Sequence, residues 1–175
     1  ENMPGSRAIK PGDVVTAMNG KTIEVVNTDA EGRMILADGL TYAARNGATH
    51  IVEFATLTGA MVVALGEVYA GLFASDADWS DRVHAAAEAS GDLAWPMPLH
   101  EGYRPLILSG VADLSNAAKK RQAGAVYAAM FLREFTEGVP WCHIDIAGTA
   151  MSNGACTGYG VRLVATLAEG LAAGK

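Results

Sequence analysis

Gly32-Arg33-Met34-Ile35-Leu36-Ala37-Asp38-Gly39-Leu40-Thr41-Tyr42-Ala43-Ala44 leads through Asn46-Gly47 into His50-Ile51-Val52-Glu53-Phe54-Ala55, and the change of period between the two runs decides the fold. In the first run Leu36, Leu40 and Ala43/Ala44 recur at helical spacing, and Asn46-Gly47 supplies a C-terminal stop. The second run is short and, apart from His50 and Glu53, apolar, and it reads as a buried strand ending at Thr56-Leu57-Thr58-Gly59. Upstream, residues 1–12 are rich in Pro and Gly and read as an irregular entry loop. After it, Asp13 to Met18 and Thr22 to Val26 flank Asn19-Gly20-Lys21, the signature of a hairpin whose turn needs positive φ. Downstream comes a mostly helical middle, with a helix over Asp81 to Ala89 that Trp95-Pro96-Met97-Pro98 breaks. Gly124 to Thr136 reads as a strong helix with Val126, Met130 and Leu132/Phe135 inward, and Trp141 to Ala147 as a second strand. Gly160 to Ala172 closes the chain as an amphipathic helix, with Val161, Val164, Ala165, Ala168 and Leu171 forming the inward stripe. Strands alternating with helices of this length predict an α/β fold, a central, largely parallel (mixed) sheet flanked by helices.

The 175 residues, half of them apolar, suffice for one domain spanning 1–175 with a real core. A net charge of −6 argues against nucleic acid or another polyanion as the main partner. The one basic run, Lys119-Lys120-Arg121, reads as a solvated loop. Cys142 and Cys156 stand at no metal-ligand spacing and read as free thiols of a reducing compartment. No apolar run reaches the ~18 residues of a membrane span, and no signal segment opens the chain, so the expectation is a cytoplasmic protein without a membrane partner. The chain starts at Glu1 without an initiator methionine, and its first residues read as the middle of a domain, so it is expected to be a fragment.

The stretch richest in chemistry is Asn27-Thr28-Asp29-Ala30-Glu31-Gly32-Arg33. In extended backbone, carboxylates at i and i+2 point to the same side, so Asp29 and Glu31 can reach one cation. They stand where a strand gives way to a helix, the usual place for ligand groups in α/β folds. Gly32 admits close backbone approach, and Arg33 adds a fixed positive fork. On spacing alone, an Asp-x-Glu before a helix is more often an N-terminal cap with a dipole-favoured acid, and that reading stays open.

Asn27 to Arg33, followed by Met34-Ile35-Leu36-Ala37-Asp38, resembles the signature of the leucyl (cytosol) aminopeptidase family. Ala55-Thr56-Leu57-Thr58-Gly59-Ala60 with Val63 to Gly66 resembles that family's substrate-binding turn. Gly110 to Leu114, Ala128 to Leu132, His143 to Gly148 and Thr157 to Arg162 also match in order, so the similarity covers nearly the whole chain. The resemblance implies the C-terminal portion of a zinc-peptidase-like catalytic domain that removes N-terminal residues from peptides with two metal ions. Asp29 and Glu31 would be ligands of two divalent ions, zinc or manganese, with Glu31 bridging. Arg33 would be catalytic, holding a bicarbonate that moves protons, with backbone groups of Ala30, Gly32 and Leu57 completing the anion site. Thr56, Leu57 and Gly59 would bind the substrate backbone. Hexamers formed through the catalytic domain are implied as well.

Departures from the family limit this. The other ligands, a lysine and two aspartates, and a second catalytic lysine belong to a segment upstream of Glu1, as does the family's N-terminal domain. Lys10 and Lys21 are not at matching positions. Two carboxylates cannot hold two zinc ions that want about four ligands each. The expectation is therefore an active parent enzyme and an inert fragment, the alternative being a non-catalytic, oligomer-forming module. Glu53 stands where the family usually has Asp, and Thr149-Ala150-Met151 leaves the preferred N-terminal residue open. Cys142-His143-x-Asp145 resembles a metal or nucleophile cluster only superficially, because Cys142 points away from the other two in a strand, and His143 reads as a core histidine. His50, His84 and His100 read as structural or exposed, and Met61, Met97, Met130 and Met151 as packing residues. Gly158-Tyr159-Gly160 does not complete a dinucleotide fingerprint.

Overall fold

The computed structural model describes residues 5–118 and 122–174, so the basic run Lys119-Lys120-Arg121 lies outside the described residues. In chain order the strands and helices are β1 (Val14–Thr16), β2 (Thr22–Glu24), α1 (Gly32–Arg45), β3 (Ile51–Ala55), α2 (Gly59–Leu65), β4 (Ala70–Ala74) and α3 (Ala77–Ser90). Then follow β5 (Ala94–Pro96), β6 (Leu114–Ser115), α4 (Gly124–Arg133), β7 (Trp141–Asp145), β8 (Met151–Ser152), β9 (Ala155–Cys156) and α5 (Val161–Ala172). Short 3-10 turns occupy Thr28–Ala30 and Glu101–Ile107. The protein is α/β as expected, and the stretch read as one domain divides into two compact units, residues 1–51 with 99–139 and residues 52–98 with 140–175.

In the first unit β1 and β2 form the expected hairpin, antiparallel in the register Val15↔Ile23, with Gly20 at φ +91° in the turn. A third strand, β6, adds parallel to β2. α1 packs on α4. Its Ala37, Leu40 and Thr41 are buried, and Thr41 donates to the carbonyls of Ala37 and Phe135. α4 ends at Arg133, three residues short of the Thr136 expected, and it is buried almost all round rather than along one stripe. A short helix of apolar and small residues has no solvent face to display, so a periodic stripe could not describe it.

In the second unit a four-stranded sheet runs in the order β3-β7-β4-β5. β4 and β5 are parallel while β4 and β7 are antiparallel, so the sheet is mixed. The sequence reading missed β4 within its helical middle. Ala70-Gly71-Leu72-Phe73-Ala74 is short, and its Gly71 hides a strand signal because the Met61 side chain occupies the space a Cβ would fill. Trp95-Pro96, read as a breaker, forms the edge strand β5, the position where a residue without an N–H is tolerated. α3 starts at Ala77, four residues before Asp81, because Asp76 caps it by accepting the Trp79 amide at 2.8 Å.

The stripe expected for α5 is a correction. Val161, Val164, Ala165, Ala168 and Leu171 lie outward, and Leu163 and Leu167 are the buried pair. Those two leucines join Val83, Ala86 and Ala87 of α3 and Cys142 and Ile144 of β7 in one core, each worth about 2 kcal/mol of burial. α5 is rich in apolar residues on every side, so spacing alone admitted either face.

Asp92 fastens the start of α5. Its Oδ2 accepts the Gly160 and Leu163 amides at 3.0 and 3.2 Å, and its Oδ1 accepts Arg162 Nε and Nη2 at 3.1 and 2.5 Å. Burial pushes its carboxyl up, but the Arg162 guanidinium with the Leu163 and Gly160 amides outweighs that and holds it below the usual carboxylate range. Because the folded group has the lower pKa, its contribution is present above the unfolded pKa of about 4 and is lost as pH falls through the folded value. Asp92→Ala is expected to lower stability at neutral pH by about 3 kcal/mol, since two buried amides lose their acceptor. Urea midpoints measured from pH 7 to pH 3 should show the gap closing below about pH 4.

Candidate functional site

The turn from Asn27 to Arg33 belongs to the first unit. Asn27 Oδ1 accepts the Asp29 amide at 3.0 Å and so caps the 3-10 turn Thr28–Ala30. Glu31 follows with helical backbone (φ −73°, ψ −36°), and α1 begins at Gly32. The backbone here is therefore coiled, not extended, and positions i and i+2 do not share a side. The argument that spacing alone aims Asp29 and Glu31 at one cation fails on this turn. Of the capping alternative, the side-chain bond is missing, since Glu31 holds the N-cap position of α1 without capping it and Asn27 caps only the 3-10 turn, whose first turn carries Asp29. Among the described residues neither carboxylate has a hydrogen-bond or ion-pair partner, so both remain open to a ligand. Asp29 is exposed, and Glu31 is half-buried and borders a cleft of about 230 Å³ whose walls include Ile23, Val25, Thr28, Met34 and Asp38.

Asn116, which the sequence reading did not single out, holds this turn. Fully buried, it accepts the Val26 and Asn27 amides at 2.9 and 3.2 Å. It returns two donations, to Asn27 O at 2.6 Å and Ala30 O at 3.4 Å. Its carbonyl receives Arg33 Nη1 at 2.7 Å. Arg33 is buried, with its guanidinium 5.2 Å from the centre of the Tyr127 ring. The sequence offered one weak signal, an asparagine between apolar and small residues in Leu114-Ser115-Asn116-Ala117. Ala30 is buried and Gly32 half-buried beside it.

Thr56, Leu57 and Gly59 belong to the second unit, where β3 gives way to α2. Thr56 and Gly59 are exposed, Leu57 is half-buried and Thr58 is buried. The Leu57 amide donates to Asp145 Oδ1 at 3.2 Å, so any anion it serves shares that hydrogen. On β7, Cys142 and Ile144 face the core while His143 and Asp145 face the other way, as alternation requires. His143 Nδ1 lies 2.7 Å from Glu53 Oε1, and the ring sits near those of Trp141 and Phe73, at 6.3 and 5.9 Å. Burial, with the Glu53 charge adding to it, pushes the Cys142 thiol far up, so it is no nucleophile. Of the other histidines, His84 lies 3.7 Å from Glu88 and His100 accepts the Gly102 amide at 3.0 Å.

The donors of the turn suit a divalent ion in kind, being uncommitted carboxylates, but not in number. Among the described residues no group of three or more His, Cys, Asp and Glu is placed to hold a metal ion. Two carboxylates fall short of the roughly four ligands that one zinc ion takes. Among the described residues no helix is long and apolar enough to cross a membrane.

The sequence profile of the cytosol aminopeptidase family, catalytic domain, matches residues 1–165. A probable cytosol aminopeptidase of Solibacter usitatus (strain Ellin6076) is 62% identical over 150 residues, covering 86% of this chain and 31% of that protein. One of Alkaliphilus oremlandii (strain OhILAs) is 54% identical over 154 residues, covering 88% of this chain and 31% of that protein. Among solved structures, a mutant of tomato leucine aminopeptidase superposes with a TM-score of 0.92 at 48% identity, covering 95% of this chain and 34% of that one. The chain thus spans about a third of the length of the relatives it matches.

Proposed function

The chain belongs to the cytosol aminopeptidase family, and from that premise we propose that the protein carrying it releases N-terminal residues from peptides by metal-dependent hydrolysis. The observation that carries the proposal is the uncommitted carboxylate pair Asp29 and Glu31, presented by a turn that Asn27 and Asn116 hold without using either acid. Asp29 and Glu31 would each supply carboxylate oxygen to divalent ions, zinc or manganese, with Glu31 the ligand shared by the two. The remaining donors come from the two-thirds of the relatives' length that this chain does not span. Such ions, when bound, polarise the scissile carbonyl and acidify a water. Arg33 stays protonated and cannot be a base, so its part would be to hold an anion, a bicarbonate that could carry a proton when bound. Backbone groups of Ala30 and Gly32 assist it. Thr56, Leu57 and Gly59 hydrogen-bond the substrate backbone. A cytoplasmic homo-hexamer is part of the same proposal, and sedimentation of the whole protein tests its size.

The decisive assay is hydrolysis of a leucine chromogenic amide with added manganese or zinc. It is run on this chain alone and on an extended protein in which the chain follows the upstream part of the Solibacter relative. The expected outcome is turnover in the extended protein alone, because two carboxylates are too few ligands. Turnover by the bare chain would move the ligands to residues described above as structural. Inactivity of both would favour the non-catalytic assembly module.

A further inference from the structure

We infer that Asp145 is a positioning residue that fixes the turn Thr56 to Gly59 for substrate. The inference rests on the proposed function and deepens it. Asp145 ends β7 and is fully buried, yet no cation faces it among the described residues. All its partners are donors from two turns of the second unit. Its Oδ1 accepts the amides of Leu57 at 3.2 Å, Thr58 at 3.4 Å and Ala147 at 3.2 Å, and its Oδ2 accepts the Thr58 hydroxyl at 2.7 Å.

A buried carboxylate without a counter-charge is among the costliest side chains to keep, and it persists only where its hydrogen bonds are in full use. Here they use nearly every acceptor position the group has. The second sign is what Thr58 gives up. Thr58 is the N-cap of α2, in extended backbone (φ −138°, ψ 129°), where its hydroxyl would ordinarily receive an amide of the first turn. It makes no such bond and turns to Asp145 instead. A helix cap has been exchanged for an anchor on the preceding turn. That anchor pins the inner side of the turn while Thr56 and Gly59 stay exposed on its outer side. The other arm of Asp145 reaches Ala147, at the start of a second turn closed by Thr149 and Ala150 amides on Ile146 O at 3.0 and 2.9 Å. One carboxylate therefore holds the spacing between the turn proposed to bind the substrate backbone and the Ala147 to Ala150 turn. Losing it displaces both without touching the carboxylate pair Asp29 and Glu31.

The test uses the extended protein and the variants Asp145→Asn, Thr58→Val and Thr58→Ser. For the leucine amide, Asp145→Asn should lower kcat/KM by about tenfold or more, mainly through KM, with bound metal unchanged. Thr58→Val should give a smaller loss in the same direction, and Thr58→Ser, which keeps the hydroxyl, should restore the parent values. Amide hydrogen exchange should show protection lost at Leu57, Thr58 and Ala147, with α3 and α5 keeping theirs. Protection lost evenly over the whole unit would make Asp145 an ordinary fold residue and overturn the inference. So would an active parent whose folded variants keep their KM. A parent without activity overturns the functional reading instead, and the two failures are told apart by that control.

Discussion

Asp29→Ala and Glu31→Ala in the extended protein should each abolish metal-dependent hydrolysis while leaving the fold as stable as before. Both acids are open in the turn, Asp29 exposed and Glu31 half-buried, and neither supports another residue through a hydrogen bond or ion pair among those described. Removing such side chains changes folding free energy by about 0.5 kcal/mol or less. If each is a metal ligand, its loss instead removes several kcal/mol of transition-state stabilisation, about a thousandfold or more in kcat/KM. The two effects run opposite to what a structural acid would show. Steady-state kinetics with manganese, metal content by mass spectrometry and thermal melting on the same samples separate them. A variant that keeps full activity would sink the assignment of its carboxylate. Asn116→Ala should behave in the other way, losing stability and activity together, since it removes the brace and not the ligand.

Gly148→Ala should be the most damaging glycine-to-alanine change among the described residues. A Cβ built there would stand 2.0 Å from the Gly66 carbonyl oxygen and 3.1 Å from its carbon. Both are backbone atoms, so no rotamer relieves the clash, and one of two turns has to move. Gly66 has its own constraint, φ +67° at the end of α2, and cannot yield freely. A loss of about 4 kcal/mol or more is expected, enough to unfold many domains of this size. Gly71→Ala is the control. Its Cβ would meet Met61 Cε at 2.4 Å, closer than any stable contact, but the obstacle is the tip of a flexible thioether. Its loss should stay near about 1–2 kcal/mol. Urea unfolding of the three proteins under one buffer reads the difference, and equal midpoints for Gly148→Ala and the parent would show that the 66–148 approach is looser than described.

What could be read from the sequence was local. The Asn19-Gly20 turn, the stop at Asn46-Gly47, and the strands around Ile51 and Trp141 each carry their cause within a few residues, and all are present. The failures have physical reasons of two kinds. Where apolar residues surround a helix, as in α5, periodicity has no contrast, and packing against α3 chose Leu163 and Leu167. Where a tertiary neighbour decides, nothing nearby announces it, and Gly71 made a buried strand look like none because Met61 fills its space. The site follows the same division. Asp29 and Glu31 are proposed as site residues through resemblance to a family motif, while the spacing argument assumed extended backbone that Asn27 replaces with a coiled turn. Asn116 and Asp145 act on residues 89 and 88 positions away, a distance over which no motif operates.

The alternation of the two units along the chain bears on how the protein is made. The chain leaves the first unit after residue 51, returns at 99 and leaves again after 139. A ribosome therefore releases the first hairpin and α1 well before α4, against which α1 packs. It then releases β3, β4 and β5 while β7, the strand that lies between β3 and β4, is still unsynthesised. From the release of β4 until that of β7, the nascent chain carries open strand edges, the kind of surface that holding chaperones capture. Neither unit can be cut out as one uninterrupted piece of gene, and a stop codon between β4 and β7 leaves two strands waiting for a partner that never arrives.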